Sequence, residues 1–185
     1  MRIKPFLESD VPAVQKFTDT EIGEGYYSVE ELVVNQKKSV ATDGTICSFL
    51  LIDESTETVK GLRLAFPPGN WSHGKGVQLR ADLWPHPIEK TAYFQSLFLA
   101  RDVQGQGWGP KLSNESLTAF RKLKAFGIAT HSWLQSPNNS SVKYLEKMGF
   151  KKIMEHPLYW VNVNYVCTLD GKPCRCTAVE MYLTL

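Results

Sequence analysis

Apolar residues recur along the chain with two spacings, one of two residues and one of three to four. The first spacing is typical of a half-buried strand and the second of an amphipathic helix. Together they predict the order β-α-α-β-β-β-α-β-α-β-β, in which 150–167 is one bent strand or a strand pair. The predicted strands are residues 3–10, 45–54, 58–66, 91–100, 128–135, 150–167 and 177–185, and the predicted helices are 11–22, 28–39, 111–127 and 137–149.

One long stretch, residues 67–90, follows neither spacing. It contains four prolines and three glycines and reads as an irregular insertion between two strands. Loops of this length are usually functional or disordered. Its tryptophans, Trp71 and Trp84, are equally suited to lining a binding site and to covering the core. The chain has no internal repeat and no linker, so residues 1–185 are expected to form a single α/β domain.

Composition excludes several classes of partner. The 185 residues include 21 basic and 19 acidic side chains, for a net charge of +2. This balance lacks the excess of basic residues that is typical of nucleic-acid-binding proteins. No segment approaches the roughly 20 apolar residues of a membrane span. The first ten residues lack the apolar core of a secretory signal, so we expect a cytoplasmic protein with reduced cysteines.

The segment VQGQGWGPKL, residues 103–112, places three alternating glycines between a predicted strand and a predicted helix. A turn of this kind presents backbone N–H groups and the positive end of a helix to an anion such as a phosphate. A P-loop would require a hydroxyl residue after Lys111, where Leu112 stands instead. The spacing of Gly105, Gly107 and Gly109 also differs from the dinucleotide fingerprint.

Residues 104–109 match the pattern Q/R-x-x-G-x-G/A, which is the coenzyme A motif of the GNAT superfamily of N-acetyltransferases. The later segment NNSSVKYLEKMGFKK resembles the second motif of that family. Counting back from the Gly149-Phe150 pair places the family's asparagine at Asn138. The resemblance covers nearly the whole chain. It implies a mixed, mostly antiparallel sheet that splays at Leu97 to Leu99, helices on both faces, and an extra C-terminal hairpin.

The resemblance implies a binding site for acetyl-CoA. The strand before the glycines would pair with the pantetheine arm, and the N–H groups of the turn would hold the pyrophosphate. Pro110 stands where the family usually has a basic residue, although proline suits a first helical turn. The implied acetyl-CoA contacts are Leu97, Phe98, Leu99, Gln104, Gly105, Gln106, Gly107, Trp108, Gly109 and Asn138.

Candidate catalytic residues depart from the family pattern. The family's general acid is a tyrosine seven residues after the asparagine, where this chain has Leu145, so the candidate acid is Tyr144, one position earlier. Glu24, between the first two helices, is the candidate base. A water ordered by Tyr93 or Gln95 is an alternative, because a base can act through one water. His131, on the following strand, is more simply explained as a partly buried structural residue.

The segment CTLDGKPCRC resembles a zinc knuckle in which an aspartate replaces the second cysteine. Three thiolates and a carboxylate can form a tetrahedral zinc site. The alternative is a hairpin, residues 166–185, whose small cysteines only pack. The candidate ligands are Cys167, Asp170, Cys174 and Cys176. Cys47 falls within a predicted buried strand and is expected to be inert.

The expected function is therefore transfer of an acetyl group from acetyl-CoA to an amine by direct attack. The alternative is a non-catalytic acyl-CoA-binding or interaction module, which the missing strand carboxylate and the displaced tyrosine favour. The acceptor is a small molecule or a peptide amine that the sequence does not identify. A homodimer is left open.

Overall fold

The computed structural model describes residues 1–185, and seven strands form one open mixed sheet. The strands lie in the order β1-β2-β3-β4-β5-β7-β6, and every neighbouring pair is antiparallel except β4 and β5. The strands are β1 Arg2–Pro5, β2 Phe49–Asp53, β3 Thr58–Phe66, β4 Thr91–Leu99, β5 Gly127–Trp133, β6 Lys151–His156 and β7 Ala178–Thr184. The predicted fold class is confirmed.

Four helices cover the two faces of this sheet. They are α1 Val11–Glu21, α2 Val29–Lys38, α3 Trp108–Lys122 and α4 Ser140–Lys147. Helix α1 packs on β3 and β4 and against α2, whereas α3 crosses β2, β3 and β4, and α4 packs on β5. At the start of α2, Ser28 and Glu31 form a capping box, in which each side chain accepts the other residue's backbone N–H. No helix is long and apolar enough to cross a membrane.

The sheet opens between β4 and β5. Their parallel pairing runs only from Thr91 and Gly127 to Phe94 and Thr130. A register shift in the β3–β4 pair leaves Gln95 without a partner residue on β3. Beyond these positions β4 continues with β3 and β5 continues with β7. The two central strands therefore leave a cleft, which we call the β4–β5 cleft, between residues 95–99 and 131–133.

The residues of the insertion, 67–90, form a cover over one face of the sheet. Trp71 stacks on Tyr93 with ring centroids 4.4 Å apart, and its indole N–H donates to the Thr91 carbonyl. Trp84 packs on Tyr182, 5.5 Å away. Both tryptophans are buried, so they cover the core, which was one of the two alternatives left open by the sequence.

The C-terminal region differs from the prediction in its boundaries. Residues 166–185 do not form an extra hairpin, because only Ala178–Thr184 is a strand, and it lies inside the main sheet between β5 and β6. The segment 150–167 is likewise a strand only over Lys151–His156. The intervening residues, 157–177, which we call the β6–β7 segment, turn back on themselves, with one isolated bridge between Cys167 and Gly171. The three cysteines of this segment are buried and converge with Asp170.

Candidate active site

The glycine turn presents unpaired backbone N–H groups at the start of α3. Gly105 and Gly107 have φ angles of +74° and +82°, which side chains with a Cβ rarely adopt, and a Cβ at either would meet open space. The N–H groups of residues 105–109 donate to no acceptor in the protein. Five free donors at a helix N-terminus form an anion-binding concavity.

The third glycine has a different physical role. A Cβ on Gly109 would lie 3.3 Å from Leu97 and 3.7 Å from Leu99, so this glycine allows α3 to approach β4 closely. Gln104 donates from Nε2 to the carbonyl oxygen of Leu99, 2.9 Å away, and so ties the turn to the end of that strand. The turn is therefore fixed beside the β4–β5 cleft.

Tyr144 reaches across from α4 to the first turns of α3. Its hydroxyl donates to Ser113 Oγ at 2.6 Å and lies 3.3 Å from the Gly109 carbonyl oxygen. The next residue, Leu145, is buried in the core instead. The helix begins only after two residues in the left-handed region, Asn138 and Asn139, so counting from Asn138 does not give the side-chain direction directly.

A buried arginine supports this tyrosine. The Arg63 guanidinium, on β3, donates to Ser113 Oγ at 2.6 and 3.1 Å and lies over the Phe94 ring. It forms no salt bridge, although its side chain is buried, and burial lowers its pKa from the ordinary value. An uncompensated cation next to Tyr144 and the cleft would favour negative charge that develops there.

A second network lies on the opposite face of the sheet, under the insertion. The Tyr93 hydroxyl lies 2.8 Å from His131 Nδ1. His131 Nε2 is 3.5 Å from Glu180 Oε2 but makes no aligned hydrogen bond. Tyr93 and His131 come from the two strands that separate. Tyr93 immediately precedes Phe94, and His131 immediately follows Thr130, the last paired residues of β4 and β5.

Glu180 is the anionic centre of this network. Its carboxylate accepts from His156 Nε2 at 2.6 Å, from the Arg80 backbone N–H at 2.9 and 3.1 Å, and from the Trp84 indole N–H. Burial opposes ionisation, but the nearby His131 and the hydrogen bonds from His156 and Trp84 outweigh it and lower the pKa of Glu180 to about 2. Burial lowers the pKa of His131 below 6.5, so its imidazole is neutral at pH 7.

A groove of about 360 Å³ runs between α2 and residues 73–75 and reaches β4 at Gln95. The Lys75 ammonium lies in it, 3.0 Å from Glu31 Oε1 and 4.3 Å from the centre of the Tyr27 ring. Tyr26 lies 4.8 Å from the same ammonium. Two aromatic faces and a carboxylate are the usual surroundings of a bound alkylammonium ion.

Other predicted residues lie apart from these networks. Glu24 is exposed in the loop between α1 and α2 and makes no hydrogen bond or salt bridge, so its role as a base stays a prediction. Asn138 is exposed, and its carbonyl accepts from Lys143. Leu97, Phe98 and Leu99 are half-buried along the open edge of β4, and Gln106 and Trp108 flank the glycine turn.

Sequence reasoning missed Arg63, Ser113, His156 and Glu180. Their partners lie between 24 and 100 residues away along the chain, so no local spacing marks them. The strand TAVEMYLTL carried one signal, since a single carboxylate among apolar neighbours must be buried with donors around it. The contacts of His131 with Tyr93 and Glu180 also join distant parts of the chain, so the sequence could not reveal them.

The family model described as the Acetyltransferase (GNAT) family matches residues 40–150, more than half of the chain. No curated protein sequence gives a significant match. Many solved structures do match, and the three described below share 12–16% identity, a level at which the likeness establishes the fold alone.

Three of these structures illustrate the likeness. The ribosomal-protein-S18-alanine N-acetyltransferase from Escherichia coli is 15% identical, with a TM-score of 0.68 over 99% of this chain and 92% of that chain. Naa20 from Chaetomium thermophilum, in complex with a bisubstrate analogue, is 12% identical, with a TM-score of 0.70 over 100% and 87%. A NatC complex bound to Gag peptide and CoA is 16% identical, with a TM-score of 0.68 over 100% and 98%.

The glycine turn, the β4–β5 cleft and the family match agree with one another. The family uses acetyl-CoA as its acetyl donor and amines as acceptors, and the prediction of an N-acetyltransferase is confirmed at that level. The chain belongs to the GNAT family of acetyltransferases.

Proposed function

We propose that the protein transfers the acetyl group of acetyl-CoA to a primary amine, with the donor bound along the β4–β5 cleft. The single observation that carries this proposal is the run of five unpaired N–H groups at residues 105–109, next to a strand edge that has lost its partner. The turn would hold the pyrophosphate, and residues 95–99 would pair with the pantetheine arm. The open backbone of β4 would also bind the carbonyl oxygen of the thioester.

The two networks would act from opposite faces of the sheet. On one face, His131 first takes a proton from the substrate ammonium through the Tyr93 hydroxyl. The neutral amine nitrogen then attacks the carbonyl carbon and loses its second proton to solvent, and the carbon–sulfur bond breaks. On the other face, Tyr144 gives a proton to the departing thiolate. Solvent then reprotonates Tyr144 and deprotonates His131, so the protein ends each turnover unchanged and one proton is released.

Three structural features support these assignments. His131 is neutral at pH 7, with Nδ1 towards the Tyr93 hydroxyl and Nε2 towards Glu180. Glu180 is therefore a positioning residue, which orients the imidazole and stabilises it when it becomes charged, as the carboxylate of a catalytic triad does. The Tyr144 hydroxyl reaches the first turns of α3, which would place it near the thioester, and Arg63 would stabilise the thiolate.

A protonated primary amine is the acceptor class that we propose. The groove at α2 already holds an alkylammonium group, that of Lys75, between Glu31 and two tyrosine rings, and it leads to β4 where the strands separate. Similar structures include a ribosomal-protein-S18-alanine N-acetyltransferase and a NatC complex bound to a Gag peptide. A peptide N-terminus and a small polyamine both carry the required group, and we propose no choice between them.

A non-catalytic acyl-CoA-binding role is the second candidate, and one observation favours it. Gly74 of the insertion lies so close to the Tyr93 hydroxyl that a Cβ there would be only 2.0 Å away. The insertion therefore covers the proposed base network of Tyr93 and His131. Release of free thiol from acetyl-CoA, measured across a panel of spermidine, lysine and short peptides, separates the two roles, because only an enzyme gives release that depends on the amine.

Three further predictions from the sequence remain proposals: a cytoplasmic location, a homodimer and a metal at the cysteine cluster. Any metal at the cysteine cluster would be structural, because those side chains lie in the β6–β7 segment and belong to neither catalytic network.

Acetyl-CoA should stabilise the native protein, because a ligand at about a hundred times its dissociation constant adds about 2.7 kcal/mol. Gly107→Val should abolish this stabilisation, since its side chain would occupy the pyrophosphate position. The matched control is Gly44→Val, because Gly44 has the same φ of +82° and the same open surroundings but lies in a distant turn. Thermal unfolding with and without acetyl-CoA checks this, and an unshifted melting temperature in the native protein contradicts it.

Tyr144→Phe should lower kcat by about 10²–10⁴-fold, the usual contribution of a general acid. The affinity for acetyl-CoA should hardly change, because the proton is needed only in the transition state. Steady-state kinetics and direct binding measure the two quantities. Tyr182→Phe is the control, since it removes a buried hydroxyl that bonds Thr91 instead. A kcat within twofold of the native value would show that Tyr144 is not the acid.

Glu180→Gln should lower the free energy of unfolding by about 1.5–3 kcal/mol at pH 7, because an amide accepts weaker hydrogen bonds than the carboxylate does. The native carboxylate has a pKa of about 2, below its ordinary 4.5, so its stabilisation is complete above pH 4.5 and disappears as the pH falls towards 2. The difference between the two proteins should shrink over that range.

Chemical denaturation at a series of pH values measures this difference. Glu155→Gln, at an exposed carboxyl group on the neighbouring strand, is the control and should show little change at any pH. A stability difference for Glu180→Gln that is independent of pH would refute the assignment of Glu180 as the buried anion.

A further inference from the structure

Four potential metal ligands converge in the β6–β7 segment. The thiols of Cys167, Cys174 and Cys176 and the carboxylate of Asp170 all lie within 4.8 Å of one another. Cys167 Sγ and Cys176 Sγ are 3.8 Å apart, far beyond the roughly 2.05 Å of a disulfide, and the three cysteines are free. Three soft donors and one oxygen therefore surround a common point.

The separations between these donors fit a tetrahedral zinc ion. Zinc binds thiolate sulfur at about 2.3 Å and carboxylate oxygen at about 2.0–2.2 Å, which puts tetrahedral ligands about 3.5–3.8 Å from one another. The Cys167–Cys176 sulfur pair lies at 3.8 Å, and Cys176 Sγ lies 3.3 Å from Asp170 Oδ2. The remaining separations are at most 4.8 Å, so shifts of about 1 Å would bring all four donors to tetrahedral spacing.

Surrounding polar groups orient the ligands. The backbone N–H groups of Leu169 and Asp170 approach the Cys167 sulfur. The Tyr165 hydroxyl donates to Cys174 Sγ at 3.3 Å. The backbone N–H of Arg175 donates to Asp170 Oδ2 at 2.9 Å and so holds that carboxylate towards the cysteines.

One buried donor at the cluster lacks a partner. The indole N–H of Trp133, at the end of β5, makes no aligned hydrogen bond and lies beside the Cys176 sulfur. An unpaired buried N–H is costly, and a metal-bound thiolate is a better acceptor for it than a neutral thiol.

We propose that Cys167, Asp170, Cys174 and Cys176 bind one structural zinc ion that fixes the β6–β7 segment against the loop between α1 and α2. A closed set of four protein ligands leaves no position for substrate, so the ion acts on folding rather than on acetyl transfer. Folding of the segment and binding of the metal are then coupled.

The contacts of the segment show what the ion would hold in place. Tyr165 packs edge-on against Tyr26 at 5.0 Å, and Tyr26 packs against Phe98 of β4 at 5.4 Å. A Cβ at Gly23 would lie 3.1 Å from the Val166 carbonyl oxygen, so the two segments are in close contact. Tyr26 also faces the Lys75 ammonium. The zinc therefore supports one wall of the acceptor groove, a consequence that rests on the proposed function.

Metal content tests the site itself. Protein purified without added chelator from cells grown with zinc should contain one zinc ion per chain. The Cys174→Ser/Cys176→Ser double variant should contain none, and Cys47→Ala, which removes a buried cysteine elsewhere, should retain it. A native protein without zinc, or a double variant that keeps it, overturns the proposal.

A second measurement needs no variant and so does not depend on a mutant that folds. Cobalt added to reduced, metal-free native protein should give thiolate-to-metal charge-transfer absorption and the visible bands of a tetrahedral ion, and zinc should displace both. Asp170→Asn should release the metal to a chelator faster than the native protein does. Absence of the cobalt bands, or a disulfide in freshly purified protein, rejects the site.

The coupling to the acceptor groove has its own readout. Metal removal should raise the KM for the amine while the melting-temperature shift caused by acetyl-CoA stays the same. If zinc is bound but no amine is acetylated, the metal site stands and the proposed activity fails. If activity is present and metal removal leaves the amine KM unchanged, the supporting role of the ion is rejected.

Discussion

The structure depends on the loss of pairing between β4 and β5 after Phe94 and Thr130. A parallel pair inside a sheet normally satisfies the backbone hydrogen bonds of both strand edges. Where the pairing ends, the freed backbone groups need other partners. Here Thr130 Oγ1 donates to the Phe94 carbonyl oxygen at the point of separation, and Gln104 closes the far end at Leu99. The opening allows one ligand to contact both faces of the sheet.

This opening explains why the two proposed catalytic networks do not touch. Tyr144 and its support from Arg63 lie on the side of α3 and α4, whereas Tyr93 and His131 lie under the insertion. The proposed acid and base therefore lie on opposite faces of the sheet, and only a substrate in the cleft would reach both.

The parts that could be predicted from sequence were those with local causes. The glycine turn, the cap at Ser28 and the cysteine spacing depend on residues a few positions apart, and the structure contains all three. The buried network around Glu180 could not be predicted, because its donors come from the insertion and from β6. Residues 157–167 were misassigned to a strand because their apolar and aromatic residues fit strand composition, although the chain turns there.

The same reasoning applies to Tyr144. Counting from the family motif gave Leu145 the expected position, but the two left-handed residues at Asn138 and Asn139 determine where α4 begins. Side-chain direction then follows from packing: Leu145 enters the core, and Tyr144 spans to Ser113. A spacing rule taken from relatives fixes a residue's place on a helix only if the helix starts at the same point.

Hydrogen exchange of the backbone amides, followed with and without acetyl-CoA, tests the central claim most directly. If the donor binds in the β4–β5 cleft, exchange should slow at residues 95–99 and 105–109 together, and it should change little in the β6–β7 segment. Protection confined to the groove at α2, or absent from both the strand edge and the glycine turn, would contradict the account.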